Sequence, residues 1–193
     1  IGTTVNGSIM SLNITNLSSV TVPINQIRFY NGNSLLKTID YVSGKSEYNF
    51  TYTQAITTNT TLKAELVYSG SSKVSGTGKF EFVYASYYGA TILSTMNSTQ
   101  ATALATLFTK NVKNTRALTW ENITLNDERF CYMYPKSFGA LISIKDGNGF
   151  SQLEGYTRLE VNLTSPTNGD IVPYYVYLLT DATTGTNFKQ IYG

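Results

Sequence analysis

Residues 62–68 read Leu-Lys-Ala-Glu-Leu-Val-Tyr, and their apolar side chains recur at every second position up to Leu66. Successive side chains of a β-strand point to opposite faces, so this pattern predicts a strand with one buried face. The same alternation surrounds Leu12, Phe29, Phe50 and Phe82. The dominant structure between residues 8 and 84 is therefore predicted to be a series of short strands.

Turn-forming residues separate these strands. Asn31-Gly32-Asn33, Ser43-Gly44-Lys45 and Ser69-Gly70 supply the positive φ angles that tight hairpin turns need. With a further strand through Val20 and Val22, six or seven strands fall within residues 1–84, which predicts an immunoglobulin-like β-sandwich. This part of the chain has no cysteine pair and no tryptophan, which excludes the antibody-type domain.

Residues 85–193 are predicted to form a second β-rich domain with one α-helix. Two strands, Leu118–Leu125 and Arg129–Tyr134, flank residues 126–128, whose Asn-Asp-Glu sequence predicts a hairpin turn. The nearly continuous apolar run Tyr174–Leu179 is typical of a central strand. The predicted fold class is therefore mainly β, with an N-terminal sandwich followed by a β-sandwich-like domain.

The helix is predicted near residues 97–113. Asn97 can cap its first turn, with Gln100 three residues later completing a capping box. Lys110 and Lys113 lie near the other end, where positive charge complements the helix dipole. The apolar stripe has helical spacing and consists of Ala101, Leu104, Ala105, Phe108 and Val112.

Composition excludes several function classes. The 193 residues include no histidine, which rules out Ser-His-Asp catalysis and histidine-ligated metals. The single cysteine, Cys131, provides neither a disulfide nor a base-activated nucleophile, and we expect it to be buried. Charged residues make up 13% and the net charge is +2, too little to indicate nucleic-acid binding. No run is long and apolar enough for a membrane-spanning helix, so we expect no membrane insertion. We also expect no cofactor.

Two patterns leave catalytic or metal-binding alternatives open. Paired carboxylates hydrolyse glycosides, but Asp127 and Glu128 are adjacent in a predicted turn and are expected to face solvent. The Asp146-Gly-Asn-Gly-Phe150 segment begins like a calcium loop, yet it lacks the later oxygen ligands of an EF-hand. We therefore predict a turn at residues 146–150, with no catalytic residue and no metal ligand.

Tyrosine is the candidate binding residue, because the chain contains 15 of them. A tyrosine ring offers a large contact area and a polar tip, and it can stack on the apolar face of a sugar. Packing inside a sheet is the alternative role. Alternation places Tyr175 on the opposite face from Tyr174, so at most half of that strand can form a binding surface. The candidate binding residues are Tyr87, Tyr88, Tyr174, Tyr175 and Tyr177.

Several phrases together resemble a module of tailed-bacteriophage virion proteins. The most specific pair is Phe130-Cys-Tyr-Met-Tyr-Pro-Lys-Ser-Phe-Gly139 and Val172-Pro-Tyr-Tyr-Val-Tyr177. The resemblance covers almost the whole chain. Its other phrases are Ile1-Gly-Thr-Thr-Val5, Phe82-Val-Tyr84, Tyr87-Tyr88-Gly89, Leu141-Ile-Ser-Ile144 and Asp146-Gly-Asn-Gly-Phe150.

Such modules commonly sit at the C-terminal end of tail, baseplate or fibre proteins. The resemblance therefore implies a non-catalytic virion component that attaches to the host surface or makes assembly contacts. It implies other virion proteins and copies of the same chain as partners, with a homotrimer as the expected assembly. In the attachment variant, a host cell-surface glycan is the further expected partner. A bacterial adhesin or secreted immunoglobulin-like repeat is the alternative, and a glycan-degrading tail enzyme is a further one.

Overall fold

The computed structural model describes residues 3–15, 17, 23–68 and 71–193. The chain divides into two compact units, Ile1–Phe82 and Val83–Gly193. This division falls two residues before the boundary that the sequence predicts. The predicted strand through Val20 and Val22, and the predicted turn at Ser69-Gly70, lie outside the described residues.

The first unit contains two sheets. The larger has the strand order β1-β7-β6-β3-β4, in which β1 runs parallel to β7, and the smaller pairs β2 with β5. Its strands are β1 (Thr3–Val5), β2 (Met10–Ile14), β3 (Gln26–Asn31), β4 (Ser34–Asp40), β5 (Tyr48–Tyr52), β6 (Thr60–Tyr68) and β7 (Ser71–Phe82).

The two sheets of the first unit pack face to face. Phe29 of β3 stacks on Phe50 of β5 with ring centroids 5.0 Å apart. Ile14 and Tyr48 from the small sheet share a buried cluster with Ile27 from the large one. Each of these side chains comes from an alternating strand, so the period-two pattern accounts for the sandwich.

The second unit is built on one seven-stranded sheet that contacts a single described helix. The sheet has the path β11-β14-β10-β13-β12, and β8 extends it beside β10 with β9 beyond. Its elements are β8 (Ser86–Thr91), α1 (Ser98–Leu107), β9 (Thr109–Asn111), β10 (Leu118–Pro135), β11 (Ile144–Asp146), β12 (Tyr156–Thr164), β13 (Ile171–Leu179) and β14 (Thr183–Tyr192).

The predicted hairpin turn at residues 126–128 is wrong, because this segment lies inside the 18-residue strand β10. Asn122 and Asp127 adopt positive φ angles of 56° and 54°, and the pairing with β14 shifts register around them. These irregularities are β-bulges, which bend a strand without ending it. The first half of β10 therefore pairs with β14, and the second half pairs with β8 and β13.

The helix is shorter than predicted. It spans Ser98–Leu107, and Asn97 and Gln100 form the expected capping box. Phe108 is already extended and its ring lies over Gly89, where an added Cβ would approach the ring to 2.4 Å. The next residues form β9 against β8, so Lys110 lies on a strand and not on a helix. Pairing with β8 thus ends the helix early, although Phe108 and Val112 still pack against the buried cluster that contains Ala101 and Ala105.

The bend in β10 divides the second unit into three layers. They are the helix, the sheet formed by β8, β12, β13 and the second half of β10, and a third layer formed by β11, β14 and the first half of β10. Cys131 and Met133 face the helix side, whereas Tyr132 and Tyr134 face the layer formed by β11, β14 and the first half of β10. This division of β10 confirms the predicted alternation. The mainly β fold, with an N-terminal sandwich and a second β-rich unit carrying a helix, is likewise confirmed. In the described part of the chain, no helix has the length and apolar character to span a membrane.

Candidate functional site

Three of the five candidate tyrosines lie in the core of the second unit. Tyr87 and Tyr174 pack together on the helix side with ring centroids 6.3 Å apart, and burial raises the pKa of both hydroxyls. The Tyr174 hydroxyl donates to the backbone carbonyl of Ala85 at 2.6 Å. Tyr177 is 3% exposed on the other side of the sheet. Burial removes Tyr87, Tyr174 and Tyr177 from any surface that a ligand can reach, which corrects their assignment as binding residues.

Tyr88 is half-buried and belongs to an aromatic row. Its ring meets Trp120 edge-on at 5.4 Å, Trp120 meets Phe130 at 5.7 Å, and Phe130 meets Phe188 at 5.8 Å. Edge-to-face packing of this kind stabilises a sheet surface. Contacts of Tyr88 are therefore mainly structural.

Buried tyrosines also hold the segment that follows β10. The Tyr134 hydroxyl donates to the carbonyl of Gly139 at 2.9 Å, and the Tyr177 hydroxyl accepts from the backbone N–H of Leu141 at 2.9 Å. Arg116 donates to the carbonyl of Phe138 at 3.3 Å. These bonds fix the short 3-10 turn Lys136–Phe138, and with it the starting position of the Lys136 side chain.

Tyr175 lies on a part of the sheet that the third layer does not cover. We call this surface the open face. Strands β12 and β13 pair Glu160 with Tyr175, Asn162 with Pro173 and Thr164 with Ile171, and directly paired residues point to the same face. Ile171 is 73% exposed. The open face consists of Lys136, Arg158, Glu160, Asn162, Thr164, Ile171, Pro173 and Tyr175.

Arg158 stacks on the ring of Tyr175. Its guanidinium carbon lies 5.2 Å from the ring centroid, a cation–π distance. The ring is held from beneath by Tyr134, whose centroid is 6.0 Å away. Arg116 and Arg129 donate hydrogen bonds to backbone carbonyls, and Arg28 donates to Gln26. Among the residues that the structure describes, Arg158 has no hydrogen-bond or ion-pair partner.

Lys136 and Glu160 neutralise each other beside this arginine. The Lys136 ammonium contacts the Glu160 carboxylate at 2.5 Å and lies 5.4 Å from the centroid of the Tyr175 ring. The hydrogen bond that the ammonium donates to this carboxylate raises the pKa of Lys136. Because Glu160 is engaged by Lys136, the positive charge of Arg158 is left without a counter-charge.

The edge of the sheet next to the open face is partly covered by the helix. Strand β12 is an edge strand, and the backbone N–H groups of Asn162 and Thr164 donate to the hydroxyls of Ser98 and Thr102 at 3.0 and 3.1 Å. These side chains satisfy groups that would otherwise offer a pairing template to another strand. The side chains of Asn162 and Thr164 remain exposed on the open face.

The remaining reactive groups do not assemble into a second site. All twelve Asp and Glu residues lie in the described part of the chain, and each is exposed or half-buried. No cluster of three or more potential metal ligands occurs among the described residues. Asp146 accepts from the backbone N–H groups of Asn148 and Phe150 at 2.9 and 3.0 Å, which confirms the predicted turn. Cys131 is buried, and burial raises the pKa of its thiol.

The first unit contains an open cleft of about 480 Å³ between β2 and the β6–β7 pair. Leu12, Ile14 and Phe80 contribute to its apolar lining, and none of its described lining residues is charged. Such a lining offers little that selects one ligand over another. The open face of the second unit is therefore the stronger candidate.

Most of the open face escaped prediction from the sequence, although a signal was present. Polar residues at 158, 160, 162 and 164 alternate with apolar ones, which marks one side of β12 as solvent-exposed. Placing that side next to Tyr175 requires the pairing of β12 with β13. The sequence identified Tyr175 as a candidate but did not identify Arg158 or Lys136.

Comparisons with known proteins give little further information. No family model matches the chain, and no curated protein matches it. Among solved structures, the chain is similar to the extracellular domain of mouse leukocyte-associated immunoglobulin-like receptor 1, crystallised as a strand-swapped dimer. The two share 15% sequence identity over 42% of this chain and 87% of that one, with a TM-score of 0.34. A similarity of this size does not bear on function.

Proposed function

We propose that the chain is a non-catalytic module of a tailed-bacteriophage virion, located in the tail, baseplate or a fibre. Its second unit contacts a glycan on the host surface. The resemblance of the Phe130–Gly139 and Val172–Tyr177 phrases to virion modules supports the virion location. Assembly contacts with other virion proteins are the second part of the same role.

The observation that carries host contact is the open face. It presents an aromatic ring, two further apolar side chains and a row of polar groups on one rigid sheet. Sugars combine apolar ring faces with hydroxyl groups, and a surface of this mixed kind complements both. Rigid strands limit the entropy that is lost when a ligand binds.

A binding role is also favoured over turnover by the placement of reactive groups. The chain has no histidine, and its one thiol is buried. Glu160, the carboxylate on the open face, is held by Lys136. Glycoside hydrolysis needs two carboxyl groups on opposite sides of the scissile bond, and Glu160 is the one carboxylate among the residues of the open face.

We further propose that the module works as a homotrimer. Strands β1 and β4 end the five-stranded sheet of the first unit, and contacts between copies are a common way to cover sheet edges. Light scattering of the purified protein is expected to give three times the chain mass of 21.3 kDa. A stable monomer at micromolar concentration would overturn the trimer and leave the binding role intact.

The virion location is tested by fractionating a lysate of the strain that carries the gene. Phage particles are banded on a caesium chloride gradient, and the band is searched by mass spectrometry for tryptic peptides of both units. Peptides in the particle band support the proposal. Peptides found only in the cell-envelope fraction contradict it and favour the alternative, a bacterial surface adhesin or secreted repeat.

A further inference from the structure

We infer that the open face binds an acidic polysaccharide, with the Arg158 guanidinium holding an oxyanion of the sugar chain. This inference rests on the proposed contact with a host-surface glycan and names its chemical class. Three observations on the open face carry it, namely an arginine without a counter-charge, a neutralised neighbour and an adjacent apolar row.

The first observation is the state of Arg158. A guanidinium is a planar group with five N–H donors, and its geometry matches a carboxylate, phosphate or sulfate. In this protein the side chain is exposed, and its guanidinium carbon lies over the Tyr175 ring, 5.2 Å from the centroid. The support limits the rotamers of a long side chain, so less freedom is lost when an anion binds. The donors are free among the described residues.

The second observation explains why the arginine stays free. Glu160 lies two residues further along β12 and points to the same face, where it could pair with Arg158. It pairs with Lys136 instead, and this lysine lies in the turn that the hydroxyls of Tyr134 and Tyr177 hold in place. The face therefore carries one uncompensated positive charge beside a neutral pair.

The third observation is the row formed by Tyr175, Pro173 and Ile171. Neighbours in this row are two residues apart on one strand, so the row extends about 13 Å. Beside it runs the polar row of Glu160, Asn162 and Thr164, which offers both donors and acceptors. A chain of sugar rings can lie along the exposed end of this row, at Pro173 and Ile171, and direct its hydroxyls to the polar row, while the guanidinium over the Tyr175 ring holds its oxyanion.

An acidic protein segment is the competing ligand, and the backbone argues against it. Extended peptides bind most readily at a sheet edge with free backbone groups. Strands β12 and β13 pair with each other from Tyr156 to Thr164, so only the outer edge of β12 can offer backbone groups to a peptide. At the far end of β12, the outward N–H groups of Asn162 and Thr164 are already bonded to the helix. The helix thus removes part of this edge from pairing with a peptide, and the exposed side chains are the main feature that the surface offers.

The test measures affinity by isothermal titration calorimetry with four defined probes. Polygalacturonate supplies carboxylates, glycerol-phosphate teichoic acid supplies phosphates, dextran sulfate supplies sulfates, and dextran is the neutral control. We expect at least one anionic polymer to bind and dextran to bind far more weakly. The anionic polymer that binds best identifies the source of the oxyanion.

Two variants and a matched control locate the site. Arg158→Ala is expected to weaken binding at least about tenfold, and Arg158→Lys by a smaller factor, because lysine keeps the charge but loses the planar fork. Lys63→Ala removes the same charge from the first unit, where Lys63 lies 4.4 Å from the Tyr30 ring centroid. It is expected to leave affinity within about twofold. Arg158 is exposed, so circular dichroism is expected to show an intact fold for both of its variants.

Other results overturn the inference. Equal losses in Arg158→Ala and Lys63→Ala would indicate attraction to net charge alone. Equal binding of dextran would indicate a neutral glycan as the ligand. Equal binding of polyglutamate, a fifth probe that carries carboxylates on a peptide, would indicate an acidic protein segment. If the wild type and Arg158→Ala bind host cells equally, the inference fails and the proposed function stands. If polygalacturonate binding requires Arg158 but no peptide enters the particle band, the inference stands and the virion proposal fails.

Discussion

The two sides of the β12–β13 pair have opposite fates. On one side, Val161, Leu163 and Tyr174 lie beneath the helix and are at most 6% exposed. On the other side, Arg158 and Tyr175 reach the solvent. The same strands and the same residue type thus build a core on one face and a contact surface on the uncovered part of the other, where Tyr177 is still buried. The difference teaches that a strand's alternation sorts its side chains, whereas distant segments decide which set is covered.

The largest contrast is expected between Tyr174→Ala and Tyr175→Ala. Removing the buried Tyr174 ring creates a cavity and should lower the free energy of unfolding by about 3–5 kcal/mol. Removing the half-buried Tyr175 ring should cost about 1–2 kcal/mol, because part of it is already in water. Urea denaturation followed by circular dichroism measures both. Similar losses in the two variants would mean that the two faces are packed alike.

Alkaline pH should destabilise the covered layers through their buried tyrosine hydroxyls. Burial raises the pKa of Tyr132 to about 12, against 10.0 for an unperturbed tyrosine. The folded state therefore keeps this proton while the unfolded state loses it, so its contribution to stability is complete below pH 10. It falls by about 1.4 kcal/mol per pH unit between about pH 10 and 12.

This pH dependence is measured by urea unfolding at a series of pH values, with tyrosinate absorbance as a second signal. Tyr132→Phe has no proton to lose at this position and is the matched control. Its stability should decline less steeply than that of the wild type in the same interval. Identical slopes in the two proteins would show that Tyr132 does not titrate as its burial requires.

A smaller effect is expected when the helix that covers the buried side of β12 and β13 is destabilised. Asn97→Ala removes the side chain that accepts from the Gln100 backbone N–H at 2.9 Å. Loss of an N-cap typically costs about 1 kcal/mol. Hydrogen exchange should then accelerate at Asn162 and Thr164, whose N–H groups bond to the helix, and remain unchanged in β3. Unchanged exchange at Asn162 and Thr164 would mean that the helix does not protect this edge.

The sequence predicted the elements that depend on local alternation and missed those that depend on remote pairing. It assigned Cys131 and Met133 to one face of β10, and Tyr132 and Tyr134 to the other, because alternation alone decides this. It placed a turn at Asp127, since a bulge and a turn both use a residue with positive φ. The pairing of this segment with β14, which includes the hydrogen bond from the Asp127 backbone N–H to the Thr184 hydroxyl at 2.9 Å, shows that it is a bulge and not a turn.

The candidate site shows the same limit. Tyrosine is suited both to cores and to binding surfaces, so the five candidates were equivalent before their cover was known. Burial of Tyr87, Tyr174 and Tyr177 depends on the helix and on the bend in β10. Arg158 has no distinguishing sequence context. It stands out only when Tyr175 is seen beneath it and Lys136 is seen holding Glu160.

The most direct test compares host-cell binding of the two candidate tyrosines that remain partly exposed. Fluorescently labelled wild type, Tyr175→Ala and Tyr88→Ala are incubated with intact host bacteria and counted by flow cytometry, each after its fold has been checked. Binding should be lost in Tyr175→Ala and retained in Tyr88→Ala, whose ring packs on Trp120. Full binding by a folded Tyr175→Ala protein would contradict the assignment of the open face as the contact surface.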